Sequence, residues 1–350
     1  MRNEKTRKLL VFAQPFLSVL LGLLLGVMVT WFAGENPFNV LKILFVSAFA
    51  SRYDFGMTLF YTAPLVLTGL AVAIPFRAGL FNIGAEGQLT VGALAAAAVG
   101  VLFPHVTWPL APLLAATAAF GAGFLWGAIP GYLRAKRGSH EVINTIMLNF
   151  VAAGLTSWVT LYLLKNPASQ NPETAHVGAG YLVERLAWFD DAPVSWALLI
   201  APIVAGTVWV ILSKTVFGFE LRSVGQSESA ARAGGVNSKR IQILAMAIAG
   251  GIAGLVAVPE VLTNSGNFKI GFSPDYGFIG IAVALLARGK PLGVLAAALL
   301  FGALHKGTGS LDLETDHVTR DLSLILQALV ILSVAAEGFW RKLLNKGAAI

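Results

Sequence analysis

Long hydrophobic runs separated by short polar segments dominate this sequence. The first run extends from Leu9 to Phe32, long enough to cross a membrane, because a helix needs about 20 apolar residues to span the hydrocarbon core. By this measure the pattern predicts about ten transmembrane helices. They lie at residues 9–32, 56–76, 86–103, 109–133, 150–164, 194–213, 241–262, 271–287, 291–306 and 321–338. The predicted fold is an all-α polytopic membrane protein.

Composition supports a membrane protein and narrows its chemistry. Apolar residues make up 56% of the 350 residues and charged residues 12%, and the mean hydropathy of +0.74 is far above that of soluble domains. Cysteine is absent and the five histidines are scattered, so no metal site and no thiol nucleophile is expected. This composition predicts a protein surrounded by membrane lipid. No nucleic acid partner is expected.

The basic residues are distributed unevenly between the two sides of the predicted helices. With the N-terminus in the cytoplasm, the outer side holds only seven of the 25 lysines and arginines: Lys42, Arg52, Lys165, Arg185, Lys269, Lys306 and Arg320. This asymmetry follows the positive-inside rule for an inner membrane protein. It predicts that both termini are cytoplasmic, with tails at residues 1–8 and 339–350.

Two of the predicted loops are long. The outer loop, residues 165–193, is polar and contains Asn-Pro twice, which is typical of an exposed surface loop. The inner loop, residues 214–240, contains a segment that begins at an N-cap candidate and ends at a Gly-Gly pair. This segment consists of Ser227, Glu228, Ser229, Ala230, Ala231, Arg232, Ala233, Gly234 and Gly235. It predicts a short helix outside the membrane, which either forms a tight turn or offers a shallow docking surface to a partner protein.

Polar residues and glycines interrupt the apolar pattern at residues 75–88, where there is no room for a solvated loop. Non-helical backbone at membrane depth is tolerated only inside protein or beside an aqueous cavity. Asn82, Glu86 and Gln88 are the polar residues of this break. A carboxylate in the membrane is costly, so Glu86 either belongs to a transport path, pairs with Arg77 or caps the following helix.

Two further patterns concern helix packing and symmetry. Glycines recur at four-residue spacing in two predicted helices, which brings small residues onto one face for close packing. These glycines are Gly123, Gly127 and Gly131 in one helix and Gly250 and Gly254 in the other. A second Gly-rich break, at residues 264–277, lies on the outer side, whereas the first lies on the inner side. The pattern predicts broken helices arranged as an inverted repeat.

Motifs for catalysis are incomplete. His140-Glu141 begins like the zinc-protease motif, but Asn144 occupies the position of the second zinc ligand. Gly289-Lys290-Pro291 lacks the upstream glycine and the Ser or Thr of a phosphate-binding loop. No catalytic residues are therefore expected, and any ATP that drives transport must be hydrolysed by another polypeptide.

Four segments carry a resemblance to a known family. They are T-G-L-A-V-A at 68–73, F-R-A-G-L-F-N-I-G-A-E-G-Q at 76–88, H-E-V-I-N-T-I-M-L-N at 140–149 and G-F-I-G-I-A-V-A-L-L at 277–286. Together they resemble the permease subunits of ABC importers in the branched-chain amino acid and ribose permease superfamily, most closely its nucleoside and simple-sugar branch. Ala233-Gly234-Gly235 departs from the family, whose members commonly have Tyr-Ala-Gly there.

The resemblance implies a permease that forms half of a translocation path, as a single domain over residues 1–350. It implies three partners: a second, non-identical permease subunit, a cytoplasmic ATP-binding subunit that holds ATP and magnesium, and an extracytoplasmic substrate-binding lipoprotein. This chain is then expected to bind no cofactor and to be no enzyme. Residues 227–236 resemble the coupling helix that contacts the ATPase. The expected path residues are Asn82, Glu86, Gln88 and Asn149.

Alternative functions stay open at this point. Within the family, the substrate could be a nucleoside, ribose, another simple sugar or a branched-chain amino acid. Outside it, the chain could be an ion-coupled secondary transporter that uses Glu86 as its coupling carboxylate, or a membrane scaffold or enzyme subunit. The inner loop favours the importer, because a secondary carrier has no need of a docking helix.

Overall fold

The computed structural model of the protein describes residues 2–315, 318 and 320–336, and all the regular secondary structure in this part of the chain is helical, without strands. Its α-helices are α1 Arg2–Phe32, α2 Pro37–Phe49, α3 Arg52–Arg77, α4 Ala85–Leu102, α5 Leu110–Arg137, α6 Glu141–Tyr162, α7 Ile200–Lys214, α8 Val216–Gln226, α9 Glu228–Ala233, α10 Ser238–Gly254, α11 Tyr276–Leu286, α12 Pro291–Glu314 and α13 Arg320–Ala335. A π-helical segment, Val258–Ser265, continues α10. Residues 2–8 of the predicted tail 1–8 belong to α1, and the tail 339–350 lies outside the described residues.

Seven helices of the described chain are long and apolar enough to cross a membrane. They are Arg52–Arg77, Ala85–Leu102, Leu110–Arg137, Glu141–Tyr162, Trp196–Lys214, Ser238–Ser265 and Pro291–Glu314. Each of the ten predicted spans overlaps a helix, so the all-α membrane fold is confirmed, whereas the number of ten spans stays a prediction. The apolar helices Pro37–Phe49 and Tyr276–Leu286 are shorter than a full span.

Several boundaries differ from those predicted. α6 begins at Glu141 rather than near residue 150, because Arg134 at the end of α5 forms an ion pair with Glu141 at 3.3 Å and allows this acid at the helix start. α12 continues to Glu314 rather than ending near residue 306. Lys306 therefore lies within a helix, where its ammonium group is 3.1 Å from the Asp54 carboxylate of α3.

The centre of the molecule is formed by α3 and by the helix that α10 begins. In α3, 83% of the apolar stretch is buried, and in the helix that α10 begins the fraction is 78%. The corresponding fractions are 22% for α5 and 17% for α6. α5 and α6 therefore lie at the periphery, where lipid or another subunit covers them. In a membrane the hydrophobic effect does not drive helices together, so they associate through close packing of small residues. The central helices of this protein pack in this way.

The contact between α5 and α10 lies on the two glycine stripes. A Cβ atom added to Gly123 would lie 2.2 Å from the Gly250 carbonyl oxygen, and one added to Gly127 would lie 2.4 Å from the Met246 carbonyl oxygen. At Gly254 the added atom would lie 2.3 Å from the Ala119 carbonyl oxygen, and one added to Gly131 would lie 3.0 Å from the Ile243 Cα atom. The backbones of α5 and α10 are therefore in direct contact.

We expect Gly127→Ala to destabilise the protein by about 1–3 kcal/mol, because the methyl group has no space between two backbones. Gly121→Ala is the matched control on the same helix, since nothing lies within 4 Å of its added Cβ. Because alanine favours a helix over glycine by about 1 kcal/mol, the control should be neutral or slightly stabilising. Thermal unfolding of the purified variants in detergent measures both effects, and equal melting temperatures would contradict the packing role.

Candidate translocation site and coupling surface

The first helix break lies at residues 78–84, between α3 and α4. Gly79 has a φ of +74°, which turns the chain after α3 ends. Asn82 and Gln88 join across the break through two side-chain hydrogen bonds, of 2.9 and 3.1 Å. Asn82 also donates to the Ala71 carbonyl and accepts from the Gly84 amide. Both side chains are almost completely buried, so they hold the non-helical backbone in place.

Glu86, in the first turn of α4, connects this break to the second one. Its Oε2 atom accepts a hydrogen bond of 2.7 Å from the backbone amide of Gly277, in the first turn of α11. The two helices touch here, because a Cβ atom added to Gly277 would lie 2.3 Å from the Glu86 nitrogen. A carboxylate at a helix N-terminus satisfies a free N–H group and interacts favourably with the helix dipole. Glu86 therefore caps α11.

The alternative partner of Glu86, Arg77, bonds elsewhere. Its guanidinium donates from Nε and Nη2 to the Gly289 carbonyl oxygen, at 3.1 and 3.0 Å. Gly289 has a φ of +62° and lies in the turn between α11 and α12. Arg77 thus ties the end of α3 to that turn, while Glu86 ties the start of α4 to the start of α11. The two sequence-distant halves of the chain meet at both positions.

A cavity of about 160 Å³ adjoins Glu86. Its walls are the first turns of α4, the face of α6 that carries Asn149, and residues 268–273 before α11. Asn149 accepts a hydrogen bond from the Gly87 amide and donates one to the Ile83 carbonyl, which fastens α6 to the first break. Of the four predicted path residues, Glu86 and Asn149 line this cavity, whereas Asn82 and Gln88 lie behind it.

Four hydroxyl-bearing residues of the cavity were not predicted from the sequence. They are Thr90 of α4, Thr156 and Ser157 of α6, and Ser273 before α11. Thr90 lies one turn after Glu86, and Thr156 and Ser157 lie about two turns after Asn149, so helical periodicity from the predicted residues indicates them. With these groups the cavity offers hydroxyl, amide and carboxylate contacts, which suit a small polyhydroxylated molecule.

A further carboxylate beside α11 lies in the π-helical segment and was also not predicted from the sequence. Glu260 is 6% exposed and accepts a hydrogen bond of 2.8 Å from the hydroxyl group of Tyr276. It also accepts one of 3.3 Å from Asn264. The first two residues of α11 are therefore held by two acids from different elements, Tyr276 by Glu260 and Gly277 by Glu86. Glu260 is the one acid in the predicted span 241–262, which is the signal that could have identified it.

The outer loop is more closely packed than an exposed surface loop. Its backbone follows the second break, since Thr174 donates to the Phe268 carbonyl and Val177 donates to the Gly266 carbonyl, each at 2.9 Å. Tyr181 is fully buried. The pKa of Glu173 is held below its ordinary value, mainly by a hydrogen bond with the Ser169 side chain. The loop satisfies backbone polar groups that the break leaves without helical partners.

The inner segment forms two consecutive helices. α9, Glu228–Ala233, is the predicted short helix, with the Ser227 hydroxyl accepting from the Ala230 amide and an ion pair between Glu228 and Arg232. Gly235, with a φ of +84°, follows its end. Ser229, Ala230, Arg232 and Gly234 are exposed, and Ala231 is buried. The eleven-residue α8 before it was not predicted.

α8 links the exposed α9 to the first break. A Cβ atom added to Gly225 near the end of α8 would lie 2.1 Å from the Arg77 carbonyl oxygen. Leu221 and Val224 of α8 are buried in the main hydrophobic core. A displacement of α9 would therefore be transmitted through α8 to the end of α3. From there it would be transmitted across the first break to Glu86 and α11.

Comparison with known proteins agrees with this architecture. Residues 55–335 match the family described as branched-chain amino acid transport system / permease component. The glucose ABC transporter permease protein TsgB13 of Haloferax volcanii is 34% identical over 345 residues, which cover 95% of this chain and 89% of that protein.

Two permeases of Bacillus subtilis also match this chain. The guanosine ABC transporter permease protein NupP is 35% identical over 345 residues, with coverage of 95% and 97% of the two chains. The guanosine ABC transporter permease protein NupQ is 31% identical over 251 residues, with coverage of 70% and 78%. The chain thus belongs to the permease components of the branched-chain amino acid transport family, and it is a membrane-spanning permease subunit of an ABC transporter rather than an enzyme.

Proposed function

We propose that this chain forms half of the translocation path for nucleosides in an ABC importer. The observation that carries this proposal is the cavity beside Glu86 and Asn149, at the point where the starts of α4 and α11 meet. Its hydroxyl and amide groups suit the ribose of a nucleoside. The relative NupP, matched along nearly its whole length, is a guanosine permease and supports this substrate class.

The partners follow from the same proposal. A second permease completes the path, and the pair NupP and NupQ in one bacterium supports a non-identical paralogue. A cytoplasmic ATPase binds ATP and magnesium and contacts α9, whose exposed residues form the coupling surface. A substrate-binding lipoprotein delivers the ligand from outside. This chain needs no cofactor of its own.

In the orientation that we propose for the inner membrane, both termini lie in the cytoplasm. Arg77, Arg222 and Lys290 surround one cavity at the end where α3 finishes and α12 begins, which supports a cytoplasmic position for that end. Asp54 and Lys306 neutralise each other toward the opposite end. Coupling then acts by different contacts between α9 and the two nucleotide states of the ATPase, which bias a two-state arrangement of the breaks.

Transport by the reconstituted four-component system tests the substrate. We expect ATP-dependent uptake of radiolabelled guanosine into proteoliposomes, competed by other nucleosides. Glucose, ribose and leucine serve as competitors of the alternative classes, and the relative TsgB13 makes glucose the principal one. Competition by glucose alone would reject the nucleoside assignment, and uptake driven by an ion gradient without ATP would reject the importer.

A further inference from the structure

A second cavity, of about 410 Å³, lies away from the translocation site, between the ends of α3 and α7, the middle of α8 and the start of α12. Three cationic side chains line it, those of Arg77, Arg222 and Lys290. All of its lining residues belong to the described chain, and none of them is an aspartate or a glutamate. The cavity therefore concentrates positive charge in a concave site.

The two arginines are held in position by bonds that leave donors available. Arg77 uses two of its five N–H groups on the Gly289 carbonyl, and Arg222 donates to the Leu212 carbonyl at the end of α7. Lys290 is exposed beside them. Two oriented guanidinium groups and one ammonium group are suited to a phosphate group, because arginine offers paired donors that match its oxygen atoms.

The apolar part of the wall distinguishes a lipid from other phosphates. Trp209 lies five residues before the end of α7, roughly 7.5 Å inside the helix, and is 42% exposed. Leu292, in the first turn of α12, is 51% exposed. These side chains extend the charged cavity toward the hydrocarbon region, where acyl chains lie and where tryptophan is favoured near the interface.

We propose that this cavity binds the phosphate headgroup of an anionic phospholipid, with the acyl chains against Trp209 and Leu292. Basic pockets between transmembrane helices are suited to such headgroups. The bound lipid would join the end of α3 to the turn before α12, the same two elements that Arg77 connects. The proposal depends on neither the transported substrate nor the ATPase.

Lipid titration of the full-length chain in neutral detergent tests this site, with native mass spectrometry to count bound molecules. We expect phosphatidylglycerol to bind at least tenfold more tightly than phosphatidylcholine. Each basic residue near an anionic headgroup accounts for roughly a fivefold change in affinity, so Lys290→Gln should weaken binding about fivefold and Arg222→Gln with Lys290→Gln about thirtyfold. The exposed Lys290 makes the single variant safe for folding.

Lys214→Gln is the matched control, because it removes a charge from the end of α7 without changing the cavity lining. Its phosphatidylglycerol affinity should equal that of the wild type. Equal binding of the two lipids, or unchanged binding by the double variant, would overturn the proposal. Displacement of the lipid by millimolar inorganic phosphate would assign the cavity to free phosphate. If the double variant lost binding to the ATPase but kept its lipid binding, the cavity would be assigned to a protein partner instead.

Discussion

Gly225→Ala is expected to reduce ATP-driven uptake at least tenfold while the protein remains in the membrane. The added methyl group would lie 2.1 Å from the Arg77 carbonyl oxygen, so α8 must move away from the end of α3. Overpacking of this kind costs about 1–3 kcal/mol. Since the proposed coupling runs from α9 through α8 to the first break, the displacement separates the ATPase contact from the translocation site.

The measurement compares uptake with ATP hydrolysis in the same reconstituted system. We expect ATP hydrolysis to continue in the variant while uptake falls. Gly206→Ala, in the neighbouring helix α7, is the matched control, because nothing lies within 4 Å of its added Cβ. Wild-type uptake by Gly225→Ala, or an equal loss in both variants, would contradict transmission through α8.

The sequence predicted the long helices and failed mainly for short ones. A hydropathy window detects α3, and the helix Ser238–Ser265 that α10 begins, because each extends for a full span, but the 13 residues of α2 are too few. The residues of α8 were assigned to the inner loop because the hydrophobic face of this helix is narrow. Leu221 and Val224 are buried at helical spacing, while polar residues separate them from other apolar positions.

The breaks were predictable, but their contacts were not. Glycine and polar residues inside apolar runs indicate interrupted helices without tertiary information. The bond between Glu86 and Gly277, in contrast, joins residues 191 positions apart. Nothing local distinguishes Asn82, which stabilises the break, from Asn149, which lines the cavity. The roles of these polar residues depend on which backbone groups the fold brings near them.

Loop polarity was a poor guide to exposure on the outer side. Residues 165–193 have the composition of a surface loop, yet part of this segment lies against the second break and buries Tyr181. Backbone amides of a broken helix need hydrogen-bond partners, and an extended segment with small and polar side chains can supply them. The inverted repeat stays a prediction, and the meeting of the two breaks at Glu86 and Gly277 is the contact it would require.

Glu86→Ala is expected to abolish uptake, whereas Glu86→Gln is expected to retain most of it. Alanine leaves the amide of Gly277 without its acceptor in a partly buried site, which costs about 1–3 kcal/mol. Glutamine keeps an oxygen that can accept this hydrogen bond and loses only the charge, whose interaction with the helix dipole is worth about 0.3–1 kcal/mol. The start of α11 therefore stays beside α4 in one variant and not in the other.

The same pair of variants distinguishes a capping acid from a coupling acid. A carboxylate that carries a proton or binds a cation cannot be replaced by a neutral amide, so an ion-coupled carrier would lose uptake in both variants. Thr90→Val removes a hydroxyl group from the cavity and leaves the bond between Glu86 and Gly277 in place, so it measures the effect of the cavity wall separately. Initial rates of ATP-dependent uptake, normalised to reconstituted protein, measure the difference. Equal loss in Glu86→Gln and Glu86→Ala would show that the charge, and not the hydrogen bond to Gly277, is what transport requires.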